Sequence, residues 1–315
     1  MSGATGESGP IPRFSVVAAL QQAAVVWCLA LGVGLAAWGW TSDTVSAAWG
    51  LLPLGTVAAV VWVQFVLAYA VNAAQGVVAW STGGLLRAIA GEFRSATAVF
   101  AWRQPWAWRH QPPLAMANEP PRGVLLVHGY LCNRGLWQHW HQVLAQRGHP
   151  VEAVNLEPVW GSIDDYVPTL EAAVARLTAQ TGQPPLVVAH SMGGLAVRAW
   201  LRSGAGNGER VAHVFTIGTP HQGTWLARWG LGTNVHQMRL ASPWLCELAA
   251  AEPPQRARLF TCWHSGGDNI VFPLGTAVLP GSAARELPHV GHVALVDDPR
   301  VLADVLRWLD SHVPV

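Results

Sequence analysis

The chain has 315 residues, 51% of them hydrophobic and only 12% charged, with a net charge of +1 and a mean hydropathy of +0.27. So little and so balanced a charge excludes a nucleic-acid-binding surface, and the uniform use of arginine over lysine reads as the coding bias of a GC-rich genome. Thirteen histidines show no metal-ligand spacing, so no metal or other cofactor is expected, and four cysteines (Cys28, Cys132, Cys246 and Cys262) do not make a disulfide framework.

The first informative stretch is apolar. No charged residue occurs from Phe14 to Ser42, and none between Asp43 and Arg87. About 20 apolar residues cross a hydrocarbon core, so two spans are predicted, at about 14–40 and 47–71, with the polar Thr41-Ser42-Asp43-Thr44 between them. Trp38, Trp40 and Trp49 flank that turn as an interfacial belt. The stretch is longer than the apolar region of a signal peptide, and no cleavage site follows it. The turn lacks arginine, whereas Arg13 precedes the first span and Arg87, Arg94, Arg103 and Arg109 follow the second. Both ends should therefore face the cytoplasm, where all four cysteines would stay reduced; Cys246 and Cys262 would pair only in an oxidising compartment.

From Leu85 to Trp102 the large apolar residues fall largely on one helical face, with Arg87, Glu92 and Arg94 elsewhere. Such a helix lies along a bilayer surface or packs on the rest of the protein, and both readings stand. Pro105, Pro112, Pro113, Pro120 and Pro121 mark a boundary. The domain organisation expected is an anchor over 1–85, an amphipathic and proline-rich linker over 86–119, and a catalytic domain over 120–315.

Beyond the linker, 123–128, 150–155, 186–190, 211–217 and 258–264 are short and nearly all apolar. They read as strands covered on both faces, hence a mostly parallel α/β sheet. Ser162 with Asp165 three residues on starts a helix that ends near Gly182. His128, at the end of the first strand, reads as structural. Ala189-His190-Ser191-Met192-Gly193 puts a serine where a strand turns into a helix. That turn exposes a hydroxyl to a neighbouring base, although a serine capping a helix has the same local look.

Two further positions complete a proton relay. Asp268 follows the strand over 258–264, and His292 precedes an amphipathic helix. His289 competes with His292, while Asp297 and Asp298 read as caps for the helix that Pro299 starts. The segment 219–254 holds Trp225, Leu226, Trp229, Met238 and Leu245, enough large apolar groups to line an acyl pocket, form a lid, or pack as a small cap.

Several motifs together carry a family likeness: Val127-His128-Gly129-Tyr130, Ala189-His190-Ser191-Met192-Gly193-Gly194, Gly218-Thr219-Pro220-His221-Gln222-Gly223-Thr224, and Asp268 with Gly291-His292. In them, residues 120 to 312 resemble the bacterial lipase and esterase branch of the α/β hydrolases, near the triacylglycerol lipases and the inositol deacylases. The resemblance implies an α/β-hydrolase fold, which the two-helix transmembrane hairpin expected from the apolar spans would precede. It implies Ser191, Asp268 and His292 as the triad, the N–H groups of Tyr130 and Met192 as the oxyanion hole, and a lid after Gly218. The expected activity is hydrolysis of lipid or other acyl esters at the bilayer of a bacterial inner membrane. Acyl transfer, thioester cleavage and non-catalytic lipid binding remain open alternatives, as does the oligomeric state. Departures from the family are Ala189, where glycine is usual, and the long apolar extension.

Overall fold

The computed structural model describes residues 14–42, 46–77, 80–110, 121–204 and 209–312. Two long helices come first. Helix α1 (Val16–Thr41) starts at Ser15, whose hydroxyl accepts the Ala18 amide, and α2 (Leu52–Ala74) follows a 3-10 turn at Ala47–Leu51. With that turn the second helical stretch has 28 residues against 26 in the first, and both are long and apolar enough to cross a membrane. Only 11% and 17% of their most apolar windows are buried, so they are not core helices of the globular part.

The roots of this hairpin nevertheless dock on the rest of the molecule. Val61, Phe65, Ala68 and Asn72 of α2 are buried. Their spacing of four, three and four residues forms one helical stripe. Gln21 and Gln22 of α1 donate to Gln104 Oε1 and the Pro105 carbonyl at 2.7 and 2.6 Å.

The amphipathic stretch is α3 (Thr82–Ala98), and its inner face lies on the globular part, with Ala88, Glu92 and Ser95 buried. It runs on into a wider π-helical stretch, Val99–Ala107, that contains Pro105, a residue with no amide to donate to a helix.

The globular part is built on six strands: β1 (Val124–Val127), β2 (Val151–Ala153), β3 (Leu186–His190), β4 (His213–Ile217), β5 (Phe260–Ser265) and β6 (Ala283–Leu287). All neighbours are parallel, in the order β2-β1-β3-β4-β5-β6. Strand side chains alternate between two cores, as the period of two requires. Leu125, Val127, Val187, Ala189 and Phe260 face one side, covered by α5 (Val167–Thr181) and α6 (Met192–Arg202). Val124, Leu126, Val188, Phe215 and Ile217 face the other, beneath α4 (Gln138–Gln146) and α10 (Pro299–Ser311). Five strands match the sequence expectation. The sixth does not, because four of its five residues are exposed at the sheet edge and carry no apolar pattern.

The cap between β4 and β5 holds α7 (Thr233–Gln237) and α8 (Pro243–Ala250). All four cysteines are free, Cys246 exposed on α8 and Cys262 buried in β5.

Candidate active site

Strand β3 sits centrally in the sheet, and the chain turns from it into α6 at a single residue, Ser191, with φ 53° and ψ −130°. A non-glycine residue in that region is strained, by about 1–3 kcal/mol, and persists only where its surroundings hold it. The Ser191 amide donates to the Ile217 carbonyl at 2.9 Å, and its carbonyl accepts from Thr219 Oγ1 at 2.8 Å. Space is tight on the β1 side. A Cβ placed on Gly129 would lie 2.7 Å from Ser191 Cβ, so the glycine after His128 lets the two loops approach. Ala189, two residues before Ser191, is fully buried in the core.

Asp268 follows β5. Its Oδ1 accepts the amides of Ile270 and Val271, each at 2.8 Å, and its Oδ2 faces His292 Nδ1 at 2.9 Å. Two main-chain donors hold the carboxylate while its other oxygen meets the imidazole. The His292 amide donates to Asn269 Oδ1 at 3.0 Å, so the residue is held by its main chain as well as its ring. With Nδ1–H given to Asp268, the lone pair sits on Nε2. Burial pulls the imidazole pKa down, but the Asp268 charge and hydrogen bond and the Glu92 charge outweigh it, leaving it above the ordinary 6.5.

Gly218 touches this pair: a Cβ there would be 3.1 Å from His292 Nδ1 and 3.2 Å from Asp268 Oδ2. Gly218 and Thr219 are consecutive, one against Asp268 and His292, the other bonded to Ser191. The structure thus brings Ser191, Asp268 and His292 to the carboxyl ends of β3, β5 and the loop after β6. Among the described residues no hydrogen bond joins Ser191 Oγ to His292 Nε2; such bonds are often long in unliganded sites and tighten with substrate.

The amides of Tyr130 and Met192 have no acceptor among the described residues, and Gly129, which precedes Tyr130 in the chain, lies against Ser191. His128 is structural: its Nε2 accepts the Leu156 amide at 3.0 Å, and burial lowers its pKa to about 4. His289 lies against Gly84 of α3. Asp298 caps α10 by accepting the Arg300 amide, and Asp297 pairs with Arg103 at 2.6 Å. Both acids are therefore structural.

The apolar residues expected near substrate divide. Met238 and Leu245 are buried in the core beneath the cap, and Trp229 faces solvent at 71% exposure. Trp225 stacks on Phe272 and, with Leu226, is half-buried.

Sequence reasoning missed the contacts that the amino-terminal helices make with this site. Gln64 of α2 accepts from Asn269 Nδ2 at 2.9 Å. Asn72 accepts the Leu274 amide at 2.7 Å, and the Trp80 indole donates to the Gly266 carbonyl. Glu92, assigned from the sequence to a polar face, is 2% exposed.

Solved structures match this architecture. A Bacillus licheniformis lipase in its mature form superposes with a TM-score of 0.55 at 17% identity, over 63% of this chain and 96% of that one. The fold is that of the α/β hydrolases. An Aspergillus fumigatus lipase B matches with the same TM-score and identity, over 64% of this chain but only 55% of its own length. No protein-family model matches the chain, and no curated protein matches it in sequence.

Proposed function

We propose that the protein is a serine carboxylic-ester hydrolase that cleaves lipid acyl esters at a membrane. Ser191 Oγ attacks the acyl carbonyl carbon while His292 Nε2 takes its proton, and Asp268 orients the imidazole and stabilises its cation. The amides of Tyr130 and Met192 hold the oxyanion, a contribution of roughly 3 kcal/mol per donor. The ester C–O bond breaks, and the alcohol leaves with the proton from His292. Water, deprotonated in turn by His292, then releases the acid and restores the serine. The observation that carries this reading is the strained Ser191 turn joined through Gly218 and Thr219 to the buried Asp268–His292 pair. Both superposed neighbours are named as lipases, which supports ester chemistry.

Two helices of membrane-crossing length support an anchor, and the arginine pattern favours an inner membrane with the catalytic domain on the cytoplasmic side. An enzyme held there meets water-insoluble esters at high local concentration. The test is hydrolysis by the full chain in micelles of a panel of short p-nitrophenyl esters, triacylglycerols and phospholipids. Cleavage of at least one ester, lost in Ser191→Ala and His292→Ala, is expected. Equal turnover by the parent and both variants would overturn the reading.

A further inference from the structure

The loop bearing His292 is gripped by a residue that lies ahead of the sheet altogether. Glu92 Oε2 accepts the amides of Val293 and Ala294 at 2.9 and 3.0 Å, and Oε1 lies 3.1 Å from the Val293 amide. A Cβ on Gly291 would sit 2.5 Å from Glu92 Oε2, so a glycine is needed on the near side as well. The carboxylate therefore touches residues 291, 293 and 294, on both sides of the base, from 201 residues away in the chain. Val293 and Ala294 open the short helix α9 (Ala294–Asp297).

A helix cap is the plain role for such a contact. A neutral Ser or Asn would cap as well, whereas burying a carboxylate is costly unless a partner repays it. Burial and, less, the Asp268 charge push the Glu92 pKa up, opposed by the two amides and by the His292 charge. The groups facing His292 are Asp268 on Nδ1, Glu92 behind the loop, and His190, whose ring centroid is 4.6 Å away. His190 is fully buried and strongly disfavours a proton, through burial first and the His292 charge second. Arg103, in the π-helical stretch after α3, is already paired with Asp297 of α9. Glu92 is thus the second negative charge available to an imidazolium at this site.

We propose that Glu92 is a positioning residue for the reaction: it fixes the His292 loop and stabilises, with Asp268, the imidazolium formed when Ser191 gives up its proton. The proposal rests on the triad reading above and adds to it a residue of the amino-terminal helical layer, so that the layer carrying the hairpin is part of the catalytic apparatus.

The experiment is a kcat and KM profile against pH on p-nitrophenyl butyrate, using the full chain in dodecylmaltoside micelles, for the parent, Glu92→Gln and Glu92→Asp. Rates are counted per monodisperse folded protein. Glu92→Gln is expected to lower kcat by about ten- to a hundredfold, as for loss of a charge-assisted hydrogen bond, with KM within about twofold. Its acid limb should move to lower pH by roughly half a unit or more, as expected when a nearby opposite charge is removed from a base. An acid limb unmoved in folded Glu92→Gln leaves only a cap and overturns the proposal. Should Glu92→Gln not fold, Glu92→Asp decides: its limb is expected to move down by a smaller amount at unchanged KM, and an unmoved limb again overturns the idea. Ser191→Ala run in parallel separates the two levels. Activity surviving there would sink the triad itself, whereas an inactive Ser191→Ala with an unmoved Glu92→Gln limb sinks this inference alone.

Discussion

Gln64 and Asn269 are hydrogen-bonded at 2.9 Å, Gln64 Oε1 accepting from Asn269 Nδ2. Gln64 lies in the middle of a largely apolar helix, and Asn269 is the residue that accepts the His292 amide. A polar side chain on the hairpin is therefore one contact from the backbone of His292. Gln64→Leu keeps the helix apolar and removes the acceptor, and losing one such bond is worth about 1 kcal/mol. The expected result is a roughly fivefold fall in kcat/KM with an unchanged amount of protein in the membrane fraction. Parent activity in the variant would show the contact to be idle.

The backbone at Ser191 makes an opposed pair of expectations. Glycine tolerates φ 53° and alanine does not. Ser191→Gly should abolish turnover yet raise stability by about 1 kcal/mol, after the extra chain entropy of glycine is subtracted from the strain relieved. Ser191→Ala should abolish turnover at nearly unchanged Tm. Thermal melts of the three proteins check this, and a Ser191→Gly melt below that of Ser191→Ala would contradict it.

Thr219→Val removes the hydroxyl that donates to the Ser191 carbonyl, leaving that oxygen with the Gly194 amide alone. Losing one such bond costs about 1 kcal/mol and loosens the Ser191 turn. The expected outcome is a fall in kcat larger than any change in KM, measured on a soluble ester, together with a lower Tm. Thr219→Ser, which keeps the hydroxyl, should recover most of both.

Acid should affect activity and stability with separate signs. On the proposed mechanism turnover needs neutral His292, whose pKa is raised above the ordinary 6.5, so the acid limb of kcat/KM is expected above pH 6.5. For stability, the raised His292 pKa contributes most below its unfolded value and is lost as pH rises through the folded one. His128, His190 and His221 act the other way: burial lowers each of them, so they favour the folded state above pH 6.5 and weaken it as pH falls. His128 alone, going from 6.5 to about 4, removes about 3 kcal/mol by pH 4 at 1.36 kcal/mol per unit. Three histidines outweigh one, so Tm should fall steadily between pH 7 and 5. A flat profile there would contradict the burial argument.

The parallel sheet was legible because doubly covered strands are apolar throughout, as in Leu186–His190 and Phe260–Ser265. Ala283–Leu287 escaped because an edge strand with Arg285 and Glu286 facing solvent has no such signature. The order of Ser191, Asp268 and His292 could be read along the chain, since each follows or precedes a recognisable element. Glu92 and Gln64 could not. Locally one looks like a charge on a polar helix face and the other like an interruption in a span, and only folding brings them to partners about two hundred residues away. Met238 and Leu245 illustrate the reverse, since large apolar residues in a cap are as suited to core as to a pocket.

The central claim is that Ser191 is a nucleophile activated by His292, and active-site labelling reads it most directly. A fluorophosphonate probe should attach covalently to the full chain at Ser191, with labelling abolished in Ser191→Ala and slowed by orders of magnitude in His292→Ala. Labelling that persists in folded Ser191→Ala, or no labelling of the parent protein at any pH from 6 to 9, would contradict it.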